Sequence, residues 1–141
     1  MTPALSPYLL LFRDSSPDAY RVLSADERQQ ILERWTAWYD DLAATGRVRY
    51  GHPLEPEGRV VSASRPDRII DIPLQSFHEA IGGYFFLMVS DLEEATEIAR
   101  RCPSLRYGMV VEVRPIAECC HLGRLTESPT AVAPAESQGA A

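Results

Sequence analysis

Two apolar runs set the terms for this chain. Tyr8 to Phe12 reads YLLLF, and Tyr84 to Val89 reads YFFLMV. Successive side chains of a strand point to opposite faces, so a run that is apolar at every position has to be buried on both faces. Arg13-Asp14-Ser15-Ser16-Pro17 closes the first run and Ser90-Asp91 closes the second. Both therefore predict strands, over Tyr8 to Arg13 and Tyr84 to Ser90, and the second is central. A sheet containing them needs a layer on each side.

Two amphipathic helices supply one layer. Ser24-Ala25-Asp26-Glu27 has the form of a capping box. The helix it opens runs to about Thr45, with Ile31, Trp35, Trp38 and Leu42 on one stripe. Gly46 suits the left-handed position that ends it. The two tryptophans read as core packing first and as pocket lining second. Asp91-Leu92-Glu93-Glu94 caps a second helix, with Ser90 or Asp91 as the cap. Its buried stripe is Leu92, Ala95, Ile98, Ala99 and Cys102, and Pro103 stops it.

The remaining segments are extended. Arg47 to Gly51 is a short extended piece, and His52 to Gly58 is a Pro- and Gly-broken loop with His52 exposed. Arg59 to Ser64 and Arg68 to Ile72 form a hairpin around the three-residue connection Arg65-Pro66-Asp67. Ser76 to Ile81 fits one turn of helix before Gly82-Gly83, where the backbone bends. Met109 to Ile116 is the last strand, with Val111 and Val113 on one face and Glu112 and Arg114 on the other.

The order is β-α-β-β-α-β with an extra hairpin strand, a ferredoxin-like α+β plan. Residues 1-118 make one domain, and residues 119-141 are a C-terminal tail, disordered from Glu127 by composition. Two helices cover one sheet face. A second copy is expected on the other, giving a homodimer that closes as an α+β barrel.

The net charge of -6 excludes a nucleic-acid surface or an anionic-membrane surface, because both need concentrated cations. The basic residues are arginines, which recognise small carboxylates and phosphates bidentately. The first residues lack a signal-peptide pattern, and no apolar run is long enough to span a bilayer. These readings place the chain in the cytoplasm. Cys102, Cys119 and Cys120 form neither a disulfide framework nor a metal-ligand spacing, so no metal and no cofactor are expected.

The chemistry-bearing residues concentrate in Asp71 to Tyr84, DIPLQSFHEAIGGY. Asp71 at the mouth of an apolar cleft is the candidate general base. His78 is its candidate proton relay, since imidazole titrates near neutrality. Arg13, Glu79, Tyr84 and Arg114 are the candidate substrate-binding groups. For Arg114 and Arg13 the plain alternative is a surface charge or a salt bridge, for example with Glu112.

These stretches resemble the YCII-related family and its DGPF subgroup. The resemblance rests on Asp71, Pro73, Glu79 and Gly82-Gly83-Tyr84. It continues through Ala99-Arg100-Arg101-Cys102-Pro103, Tyr107-Gly108 and Val111 to Ile116, and covers about residues 8 to 117. Asp71-Ile72-Pro73-Leu74 stands where the subgroup has its tetrapeptide, and His78 where it usually has Lys. The resemblance implies a dimeric ferredoxin-like α+β barrel, with lyases, isomerases and monooxygenases among wider relatives. It also implies a His–Asp pair as active site in one branch, and sigma-factor neighbours for some members. Two functions follow as expectations. One is a cofactor-free small-molecule enzyme doing acid–base chemistry of lyase or isomerase type. The other is a non-catalytic ligand-binding or regulatory module.

Overall fold

A computed structural model describes residues 4–14, 17–74 and 81–126. The chain runs β1 (Ser6–Asp14), α1 (Ala25–Ala44), β2 (Val48–Pro53), β3 (Arg59–Arg65), β4 (Arg68–Pro73), β5 (Ile81–Val89), α2 (Leu92–Ala99), β6 (Met109–Pro115) and α3 (His121–Leu125). Single 3-10 turns lie at Pro17–Tyr20 and Leu105–Tyr107.

Four strands form one antiparallel sheet in the order β2-β5-β1-β6. With β3 and β4 set aside, this is the strand order of a ferredoxin-like βαββαβ unit, as expected. β5 is central, with β1 on one side and β2 on the other. Pairing of Leu10 with Phe85 and with Val113 puts these three side chains on one face of the sheet.

That face carries the core. Tyr8, Leu10 and Phe12 alternate inward from β1, and Phe85, Leu87 and Val89 from β5. Trp38 and Leu42 of α1 and Ala95, Ile98 and Ala99 of α2 close over them. Leu10, Leu87 and Val89 are sealed completely, which stabilises the fold by roughly 1.5–3 kcal/mol for each such side chain.

Both long helices begin as the sequence implies. Ser24 Oγ accepts from the Glu27 N–H at 3.1 Å, and Glu27 accepts from the Ser24 N–H at 3.1 Å. For α2 the cap is Asp91, which accepts from the Glu94 N–H at 2.8 Å. Ser90 assists by donating its N–H and hydroxyl to Glu94. These donors, the Ser90 N–H first, and Arg47 hold the Glu94 carboxyl below its ordinary range despite some burial. Gly46 follows α1 with φ at 74°, the left-handed turn for which glycine is suited.

Several local expectations need correction. The second strand of the main sheet is β2, which extends through His52 and Pro53; those residues are strand and not loop. The hairpin β3–β4 is a separate two-stranded sheet and not a strand of the main one. Its connection is two residues, because Arg65 pairs with Arg68 across Pro66-Asp67. Gly82-Gly83 lies inside β5, where Gly83 pairs with Phe12 and Pro53. A Cβ on Gly83 would sit 3.0 Å from the His52 carbonyl oxygen, so this glycine permits close strand approach, while at Gly82 the register against β1 shifts by one residue, the local kink of a bulge. Leu92 is half exposed, because as the first residue after the Asp91 cap it points off the core. The segment assigned to the tail opens with α3, whose start is capped by Cys120 Sγ accepting from the Gly123 N–H. The helical turn expected before Gly82 falls on residues 75–80, outside the described residues, while Ile81 belongs to β5.

Cys102 tests how tightly the core excludes charge. It is buried, and that burial pushes its thiol up to about 11 from the ordinary 9.0. The folded protein therefore favours the neutral thiol, and its contribution is complete below pH 9 and lost as pH rises toward 11. Urea unfolding should show stability falling by about 2 kcal/mol from pH 8.5 to pH 10.5 through this group. Cys102→Ala should lack that component of the fall. An equal fall in the variant would assign the loss to other groups.

Candidate functional site

Four apolar side chains come together where α1 crosses the end of the sheet. Phe12 of β1 meets Phe85 of β5 edge-on, with centroids 4.9 Å apart. Trp35 packs edge-on against Phe12 at 5.1 Å, and Tyr39 against Phe85 at 5.2 Å. Beside these rings, with Met109, opens a cleft of about 510 Å³. That volume lies in the range of roughly 300–1,000 Å³ typical of small-molecule sites.

Two strand positions without side chains contribute to the wall of the cleft. Gly51 and Gly83 face the helix layer from β2 and β5 and form part of the wall. Trp35 is held in place by its indole N–H, which donates to Ser104 Oγ at 2.8 Å. Ser104 is buried, and its hydroxyl also serves Tyr20, whose phenol burial shifts upward. On the α1 side the rim carries Thr36 and Asp40, and on the β1 side Asp14. The cleft thus joins aromatic walls to two carboxylates, with no Arg or Lys among its described lining residues. Such a site suits a flat, apolar molecule that presents a hydrogen-bond donor or a positive charge.

The sequence-predicted residues fall in other places. Asp71 lies on β4, where its carboxylate accepts from the Arg59 guanidinium at 2.9 Å. Its side chain is 49% exposed, and it does not line the cleft. His78 and Glu79 lie outside the described residues. Arg13, Tyr84 and Arg114 share the helix-free face of the sheet. There Glu112 pairs with Arg13 at 3.5 Å and with Arg114 at 3.0 Å, the salt-bridge reading of these arginines. Tyr84 joins Tyr50 and His52 on that face, with its ring 5.8 Å from the imidazole. His52 and Tyr84 border the cleft along their strands while their rings cluster on the other side. Among the described residues no group of three or more His, Cys, Asp or Glu side chains is placed to hold a metal.

Tyr39, Asp40 and Asp14 went unremarked in the sequence. Trp35 and Tyr39 stand four apart, one helical turn, on the flank of the buried stripe. Gly51 within a strand was the further signal, since such a glycine marks close approach or an opening.

An antiparallel sheet in this order, with helices on one face and an apolar cleft beneath the longer helix, defines a ferredoxin-like α+β domain. The chain belongs to the YCII-related family: the YCII-related domain model matches residues 7–119. That span runs from β1 to beyond β6. Comparison with curated proteins gives no significant match. No helix among the described residues is long and apolar enough to cross a membrane.

Gly51→Ala tests the wall of the cleft. The added Cβ would stand 2.4 Å from Phe85 Cδ1 and 2.9 Å from the Tyr84 carbonyl oxygen. The backbone oxygen cannot step aside as a side chain can, so the variant should lose about 1–3 kcal/mol in urea denaturation. An unchanged midpoint would mean that Phe85 is free to turn away.

Proposed function

We propose that this YCII-related protein is a cofactor-free small-molecule enzyme whose acid–base chemistry, elimination or isomerisation in type, takes place in the cleft beneath α1. One observation carries the reading: the cleft is walled by aromatic rings, and its ionisable side chains at the rim include Asp14 and Asp40. A carboxylate beside apolar walls is a usable general base, since a bound substrate excludes water from it. The base in this reading is a rim carboxylate and not Asp71. Phe12, Trp35, Tyr39 and Phe85 hold a flat substrate, and the carboxylates favour a neutral or cationic one.

The position of Asp71 favours a second reading, a non-catalytic ligand-binding or regulatory module, a class that includes association with a sigma factor. Asp71 sits on an exposed hairpin in an ion pair with Arg59 and is not among the described residues that line the cleft beneath α1. Two measurements separate the readings. In NMR titrations, benzamidine should shift Trp35 and Tyr39 more strongly than benzoate does, and Asp40→Asn should erase that preference. Equal responses to the two probes would remove the role of the rim carboxylates. A panel of halogenated and hydroxylated aromatic substrates should then show turnover that Asp14→Asn or Asp40→Asn abolishes and Asp71→Asn spares. Binding without turnover would support the module, and turnover lost only in Asp71→Asn would return the base to the hairpin.

We also propose that the helix-free face is covered by a second copy. Leu9, Leu11, Tyr50, Phe86 and Val110 lie on it, with Tyr50 stacked on Phe86 at 5.0 Å. Tyr50 and Val110 are 40% and 44% exposed in the single chain. Sedimentation should report a dimer, and Val110→Arg should shift it toward monomer. A wild-type monomer at high concentration would rule this arrangement out.

A further inference from the structure

A second cavity, of about 600 Å³, opens on the other side of α1. Four arginines border it from three separate elements: Arg34 of α1, Arg100 and Arg101 just after α2, and Arg106 of the second 3-10 turn. The chain carries a net charge of -6, so this concentration of cations runs against its overall balance. Arg100 is paired with Glu97. Arg34, Arg101 and Arg106 have no carboxylate in ion-pair range among the described residues. Like charges held around one cavity repel each other, and an anion placed between them removes that cost.

The inner wall is aromatic. Trp38 lines the cavity, is 8% exposed, and its indole N–H is buried with no acceptor. An indole nitrogen only donates, and leaving such a donor unmet costs about 1–3 kcal/mol. That N–H is closed off from the groove, so Trp38 offers its ring there and not a hydrogen bond. At the nearby end of α2 the carbonyls of Thr96, Ile98 and Ala99 accept from the backbone N–H groups of Arg100, Arg101 and Cys102, which leaves the guanidinium groups themselves uncommitted to them. Leu105 and Pro103 offer an apolar margin for an organic group.

We propose that this groove binds a small, multiply charged phosphoryl compound of the diphosphate class. Guanidinium groups match phosphate oxygens bidentately, and several converging forks favour a diphosphate over a single charge. The site is separate from the cleft beneath α1 and does not depend on the reaction proposed there.

Isothermal titration calorimetry at low ionic strength, with pyrophosphate as the probe, tests it. Pyrophosphate should bind more tightly than inorganic phosphate or citrate and should change the tryptophan fluorescence. The double variant Arg101→Gln/Arg106→Gln should weaken it about ten-fold or more, while Arg65→Gln/Arg68→Gln on the hairpin, an equal loss of charge, should change it less than about two-fold. Circular dichroism checks that both variants fold; all four side chains are exposed. No binding, or equal weakening in the two variants, would overturn the site. Citrate binding as tightly as pyrophosphate would overturn the phosphoryl class.

Discussion

The arrangement depends on one contact, the ring of Phe85 lying against the bare backbone of Gly51. Phe85 stands on the central strand, and Gly51 is its partner on the edge strand β2. A Cβ at residue 51 would occupy the space that the ring now fills. Because the ring can spread over β2, it meets Phe12, Trp38 and Tyr39 together, at centroid distances of 4.9, 5.1 and 5.2 Å. Those contacts fix α1 across the sheet. Aromatic pairs of this kind add about 0.5–1.5 kcal/mol each beyond simple burial. The same glycine lines the cleft at the edge of the sheet, beside the ring that covers it.

The sequence made the architecture legible where periodicity was long. The capping box at Ser24, the stripe Ile31-Trp35-Trp38-Leu42 and the apolar runs at Tyr8 and Tyr84 specify helices and strands through local chemistry that tertiary contacts do not override. The β2 strand was harder to see, because Val48 to Pro53 is short and ends in His52-Pro53, residues typical of loops. Its strand state comes from pairing with β5, a contact that lies thirty or more residues away along the chain. The hairpin misled for the opposite reason. Its strands alternate well and pair well with each other, but no local signal tells whether a hairpin joins the main sheet. The candidate site followed the same logic. Asp71 drew notice by its surroundings in sequence, yet its position depends on where the hairpin goes. Tyr39 and Asp40 lie on a helix the sequence did define, but which flank of that helix meets a cavity is decided by how α1 packs over β2 and β5.

Charge is distributed as unevenly as the packing. On the helix-free face Glu112 holds both Arg13 and Arg114, which leaves that trio with one positive charge. Glu94 accepts from Arg47 and from Ser90, tying the end of α1 and the start of β2 to the N-terminus of α2. Those pairs are structural: they join neighbouring elements and leave little net field. The two cavities differ from this pattern and from each other. The cleft has carboxylates at its rim, and the groove on the far side of α1 has four arginines, of which only Arg100 has a carboxylate partner among the described residues. Opposite charge at two openings of one small domain is the arrangement that would separate two ligands, since the wrong one at either opening would meet repulsion and not merely weaker attraction.

One helix builds both openings. Trp35 lines the cleft, and Trp38, three residues on, lines the arginine groove. Their rings touch at 5.4 Å, and both pack on Phe85. Trp35 is further tied through Ser104 to the turn that carries Arg106. A close-packed core transmits strain between side chains in contact. The two openings are therefore joined through one aromatic cluster with Phe85 at its centre, and a change in the seat of either tryptophan is felt by the other.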